Sequence, residues 1–304
     1  MTARLPRSAE ARLWIIVGVA VLGLGPALGH LASEGPADGR TRHPAAIAAE
    51  RSFFEAFDRG ERSPEILRPL AQAWAMAPAD ARTNLLLGLA HLWLVAESDR
   101  TEARIIEHLL LADSYLVRAA RLDPSNGRMA SWIAPTRIAL AQLEGDEEAA
   151  AAALESLREA YADDPNFHSF TLAMLAFGAP RDSPRFAEGL KALRTVAGST
   201  CHDDDPSCRN TPRWPHNREA YLTFTADFEL KAGHPERAVQ LLELAMEMPG
   251  AEDWPYRSEA SYRLDAAPQL AALYADDDPL NDPPSLIETH ACTACHQGTA
   301  RGRK

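Results

Sequence analysis

Three observations predict an all-α fold. The 304-residue chain is rich in Ala and Leu, only 7% aromatic and poor in β-branched runs, a balance that favours helix over sheet. Small residues recur at a fixed distance before prolines: Ala73 before Pro78, Ala119 before Pro124 and Ala160 before Pro165. Apolar residues precede each of those alanines at helical spacing: Leu70 and Ile66, Leu116 and Ala112, Leu157 and Ala153. Together they predict helical hairpins stacked on one another, in one or two domains or as one extended solenoid.

At the N-terminus, Arg4, Arg7 and Arg12 form a basic region, and Leu13 to Leu24 an apolar one. Pro26 breaks the run, and Ala27-Leu28-Gly29 supplies the small residues that a signal peptidase reads. The run is short for a membrane span, which needs about 20 residues. Residues 1–29 are therefore expected to be a cleaved export signal, with a retained membrane anchor as the alternative.

From 45 to 250 the hairpin pattern repeats. Each second-helix face ends at its proline, and a first-helix pattern follows. After Pro78 this is Asn84-Leu-Leu-Leu-Gly88-Leu-Ala-His91; after Pro124, Ile133-Ala134; after Pro165, Met174-Leu175. A further unit runs from Tyr221 to Pro249, with Ala226 as its small packing residue, Gly233 at its turn and Ala238, Leu242 and Ala245 on its second helix. The pattern resembles the tetratricopeptide repeat (TPR), whose period is about 34 residues. The resemblance implies an array whose hairpins share one core and present a face for partner proteins or peptides. Departures are visible: about a dozen extra residues around Glu97–Glu107, a smaller insertion near Gly145, and a degenerate unit near Phe167–Val196. The physics agrees with the repeat. Small residues let helices approach, Leu and aromatics fill between them, and Pro ends the second helix because it lacks an amide donor.

Residues 201–218 interrupt the array, because Asp203–Asp205, Pro206, Pro212 and Pro215 do not suit a helix interior. Cys201 and Cys208 lie in this excursion and are expected to form a disulfide in an oxidising compartment. Mass spectrometry of the unreduced protein should find neither thiol open to alkylation; alkylation of both would refute the pairing. Residues 251–275 read as a capping helix with Tyr262, Leu264, Leu270 and Leu273 on its apolar face. Asp276-Asp-Asp-Pro and Asn281-Asp-Pro-Pro read as a linker opening a tail over 276–304.

The tail carries Cys292-Thr-Ala-Cys295-His296. Cys-x-x-Cys-His is the attachment signature of a c-type haem. Its spacing lets both thiols reach the vinyl groups of one macrocycle, and the next residue then supplies an axial nitrogen to iron. The expected cofactor is one covalent haem c on Cys292 and Cys295, with His296 as proximal ligand. In small monohaem cytochromes c the motif lies early and a distal Met follows dozens of residues later; here eight residues follow His296. Only the attachment residues carry over from that family, and its fold does not. Distal candidates are His216, Met246 and Met248, with water-bound or five-coordinate iron also open. His290 is too close in sequence to Cys292 to span the ring. His234 reads as a turn residue, and His91 and His108 as residues of repeat helices. The rival chemistry is zinc, with Cys292, Cys295 and His290 or His296 as ligands and Cys201 or Cys208 as the fourth.

Formal net charge is −12, and residues 1–29 hold three Arg and one Glu, so their removal takes it to −14. An acidic body does not bind nucleic acid by counterion release. No nucleophile–His–acid signature, phosphate-binding Gly loop or metalloprotease helix stands out. The expected role is electron transfer or docking within a periplasmic redox assembly, with other redox proteins or peptides as partners. A membrane is involved only if the N-terminal segment is retained. The alternative is a non-enzymatic interaction scaffold whose C-terminal Cys/His motif binds zinc or another metal.

Overall fold

Helix-stop and helix-start signals in the sequence fall where the chain turns. The computed structural model describes residues 42–59, 63–97, 102–198, 218–248, 251–275 and 281–286. Among these the chain forms twelve α-helices, two short 3-10 turns and no strand, so the fold is all-α. It divides into two units, one ending at Asp164 and the other beginning at Pro165.

The first unit holds α1 (Pro44–Arg59), α2 (Ser63–Met76), α3 (Ala81–Glu97), α4 (Glu102–Leu122), α5 (Ala130–Glu144) and α6 (Glu147–Asp163). Sequence neighbours pack as the hairpins α1/α2, α3/α4 and α5/α6, and α2 packs on α3 as α4 does on α5. Asp80 caps α3 by accepting the Thr83 amide at 2.7 Å, and its carboxylate also takes two bonds from Arg42, at 2.8 and 3.0 Å. Gly145 closes α5 with φ +73°, and Asp146 caps α6 through the Ala149 amide at 2.9 Å. Residues Ile66, Leu70 and Ala73 of α2 and Ala112, Leu116 and Ala119 of α4 are buried, as the repeat pattern requires. Ala153 and Leu157 of α6 are buried too, whereas Ala160 is half-buried. A Cβ on Gly88 would come 2.7 Å from Leu116 Cγ, so the glycine lets α3 approach α4.

Two expected interruptions take a different form. The extra residues around Glu97–Glu107 lengthen helices: α4 reaches 21 residues, because Glu102-Ala-Arg-Ile-Ile-Glu-His-Leu109 are mostly good helix formers. Near Gly145 a tight left-handed turn joins α5 to α6 in place of an inserted loop.

The second unit holds α7 (Pro165–Phe177), α8 (Pro184–Gly198), α9 (Arg218–Lys231), α10 (Pro235–Glu247), α11 (Arg257–Asp265) and α12 (Ala267–Leu273). Pro165, Pro184 and Pro235 open their helices, where a missing amide costs nothing. Hairpins α7/α8 and α9/α10 pack together, α8 meets α9, and α12 meets both α9 and α10. The stretch read as degenerate therefore forms an ordinary hairpin. Phe177, Phe186, Phe224 and Phe228 fill the centre, with Phe186 stacked on Phe228 at 5.0 Å and Phe177 edge-on to Phe228 at 5.0 Å. Gly189 of α8 admits this close packing. A Cβ there would meet Ala176 Cβ at 2.6 Å, Ala173 Cα at 3.2 Å and Phe228 at 3.3 Å. Backbone atoms yield little, so Gly189→Ala should destabilise the protein by about 1–3 kcal/mol despite the better helix propensity of Ala. Urea unfolding checks this; an unchanged midpoint would contradict it.

The capping segment is corrected. Residues 251–275 are not one helix: Ala266 ends α11, and α12 restarts with Pro268 in its first turn. Tyr262 is 59% exposed and Leu273 40% exposed, Leu264 is half-buried and Leu270 is buried. The two helices do not present one apolar stripe, and it is Arg263 of α11 that is buried.

Candidate functional site

The motif Cys292, Cys295 and His296, the excursion with Cys201 and Cys208, His216 and His290 all lie outside the described residues, as does the segment 1–29. The described chain nearest to the motif is 281–286, and it is docked. Ser285 and Leu286 are fully buried. These residues, expected as part of a linker, are held to the second unit at several points.

The seat is built from α9 outward. Asp227 spends its two oxygens on two different elements. Oδ1 accepts from Arg263 Nε of α11 at 2.7 Å, and Oδ2 accepts the Leu286 amide at 2.7 Å. Both side chains of the ion pair are buried, at 5% and 3% exposure. Arg263 Nη2 donates to the Pro284 carbonyl at 3.1 Å, and Nη1 to Glu259 Oε2 at 3.0 Å. Tyr274 donates its hydroxyl to the Pro283 carbonyl at 2.6 Å. Lys231, one turn beyond Asp227, reaches Asp282 at 3.4 Å and donates to the Phe177 carbonyl at 3.1 Å. The rings of Phe177, Phe186 and Tyr274 stand 5.2, 5.9 and 5.8 Å from the Lys231 ammonium. Proline has no amide to offer, so at Pro283 and Pro284 the main chain is held through its carbonyls, with the Asp282 side chain and the Leu286 amide on either side.

Burial alone would lower the Arg263 pKa, but Asp227 and then Glu259 outweigh it and hold it above its ordinary value. Burial pushes Asp227 the other way, upward, against the pull of Arg263 and the Leu286 amide. The pair is ionised, because both Asp227 oxygens act as acceptors and a guanidinium does not give up its proton.

A second cluster surrounds Glu229, whose side chain is fully buried. It accepts two bonds from Arg194, at 2.7 and 2.6 Å, and pairs with His234 at 3.0 Å and Arg237 at 2.9 Å. Burial would raise the Glu229 pKa, but Arg194, then His234 and Arg237, draw it below the usual range. His234 sits at the α9–α10 turn, at the start of α10, as expected. Met246 lies in the last turn of α10 and Met248 just past it; both are half-buried. The Met246 carbonyl accepts from Arg257 at 3.1 Å.

His91 and His108 lie in α3 and α4, with Nδ1 atoms 3.2 Å apart, and Tyr115 stacks on His91 at 5.8 Å. Burial first, and His108 second, push His91 down to about 4 from 6.5. The native ring is therefore neutral at pH 7. Between pH 6.5 and 4 the unfolded chain binds a proton that the folded one refuses, so stability falls as pH drops through that window. The loss is on the order of 3 kcal/mol at its lower edge. His91→Phe keeps the stacked ring without the titration and should flatten the pH dependence of the unfolding midpoint. A slope unchanged by the substitution would contradict the assignment.

Among the described residues, no group of three or more His, Cys, Asp or Glu is placed to hold a metal ion, and no helix is long and apolar enough to cross a membrane. Comparison with protein-family models, curated proteins and solved structures finds no match to this chain. The Asp227–Arg263 seat escaped the sequence reading. Its one visible signal is α9 itself, where Asp227, Glu229 and Lys231 break the apolar pattern on more than one helix face.

Proposed function

We propose that the chain is an exported c-type haem protein: a scaffold of TPR-like hairpins with one haem bound covalently to its C-terminal tail. Its role is electron transfer within, or docking onto, a periplasmic redox assembly. The observation that carries this reading is the run Cys292-Thr-Ala-Cys295-His296. As a donor set, two thiols two residues apart and an adjacent imidazole fit haem c, whose iron supplies one-electron exchange. Cys292 and Cys295 would bind the macrocycle, and His296 would supply the axial nitrogen. The paired helices that begin and end at the repeat's Pro, Ala and Gly positions support the scaffold half of the reading. The basic-apolar-small pattern of residues 1–29 supports export.

The test is a denaturing gel, stained for haem, of protein made in a host with haem-maturation machinery. A stained band at the size of the chain is expected, because thioether-linked haem survives denaturation. A chain that comes out colourless and carries zinc would favour the interaction-scaffold alternative.

A further inference from the structure

We propose that Asp227, Arg263, Lys231 and Tyr274 are positioning residues that seat residues 282–286, which end six residues before Cys292, on the second unit in a fixed register. This inference rests on the haem reading above. Four points between 282 and 286 are gripped separately: the Asp282 side chain, the Pro283 and Pro284 carbonyls and the Leu286 amide. The grips come from α9, from α11 and from Tyr274 at the end of α12.

The choice of grip matters as much as the number. Apolar burial alone would hold a tail down without fixing where along its length it sits. A buried ion pair adds little net stability over apolar packing, and its best-attested use is to specify register. Here one carboxylate bonds both the internal cation and a tail amide, so a shift by one residue would leave Asp227 Oδ2 and the Arg263 guanidinium short of partners. The two prolines limit the conformations the segment loses on docking, which lowers the cost of seating it.

The consequence is a bound on distance. Cys292 follows Leu286 by six residues, and six residues reach at most about 22 Å when fully extended. A haem on Cys292 and Cys295 would therefore be attached within that reach of an anchored point. A haem held within that reach would travel with the second unit, and loosening the seat would let it gain solvent.

Two variants loosen the mount and leave the Asp227–Arg263 pair intact: Tyr274→Phe, which removes one hydroxyl, and Lys231→Met, which removes the ammonium. The measurements are hydrogen exchange over residues 281–286 and the haem midpoint potential, both on the full haem-loaded chain. In the parent, the Ser285 and Leu286 amides should exchange slowly. Each variant should speed them at least tenfold, with exchange in α9 and α10 unchanged, and should lower the potential as the haem gains solvent. Fast exchange at Leu286 in the parent would overturn the mount. Faster exchange in the variants with an unchanged potential would overturn its positioning role. A parent chain with slow exchange but no haem would overturn the haem reading while leaving the docked segment in place, so the two failures are distinguishable.

Discussion

Arg263→Ala is expected to lower the stability of the second unit by about 3–5 kcal/mol, the usual cost of stranding one member of a buried ion pair. The substitution leaves the Asp227 carboxylate at 3% exposure with only the Leu286 amide as a charge-assisted partner. It also strips the Pro284 carbonyl of its donor and Glu259 of its cation. Burial already pushes the Asp227 carboxyl upward, so without Arg263 the group should take up a proton more readily, and this relief limits the loss. The double variant Asp227→Leu with Arg263→Met should recover most of the stability, because apolar packing replaces a pair whose desolvation offsets its attraction. It should not recover the slow exchange of Leu286, whose amide would then lack its acceptor. Urea unfolding followed by helix circular dichroism gives the stabilities. If the single variant unfolds within 1 kcal/mol of the parent, the seat is not the energetic feature that its geometry implies.

Removing the attachment thiols should have the largest effect on the cofactor. Cys292→Ser with Cys295→Ser should abolish covalent haem entirely, since the other pair, Cys201 and Cys208, lacks the two-residue spacing and has its adjacent histidine, His202, after the first thiol instead of the second. His296→Ala should prevent stable incorporation by removing the axial nitrogen, whereas His290→Ala should have a smaller effect. Ser at Cys201 and Cys208 should leave haem attached, because the two cysteine pairs are chemically independent. Stained gels of the four variants, made side by side, separate these outcomes.

The helices were legible because local rules and packing agree. Asp80 and Asp146 cap their helices as short acidic side chains do, and Gly88 sits where a small residue must let α4 approach. Gly189 escaped notice although it does the same work between α8 and α7, because no repeat signature surrounds it. The segment 251–275 misled for a definite reason. Tyr262 and Leu273 look like core residues at helical spacing, but Pro268 restarts the helix and the inward position goes to a charged residue, Arg263. Nothing local reveals that an Arg will be buried; its partner Asp227 is 36 residues earlier. Linker chemistry and a docked extended strand of chain share the same residues, and only the distant acceptors and donors decide between them. The haem proposal rests on Cys292, Cys295 and His296, which the sequence alone singles out, while the bonds that hold residues 282–286 are legible only in three dimensions.

The intact mass of the exported chain tests the central claim most directly. Protein made with haem-maturation machinery should have the mass of its polypeptide plus one haem, retained after denaturation and reduction. The Cys292→Ser, Cys295→Ser variant should have the mass of its polypeptide alone. A parent without the added mass, or a double variant that still carries one haem, would contradict the account.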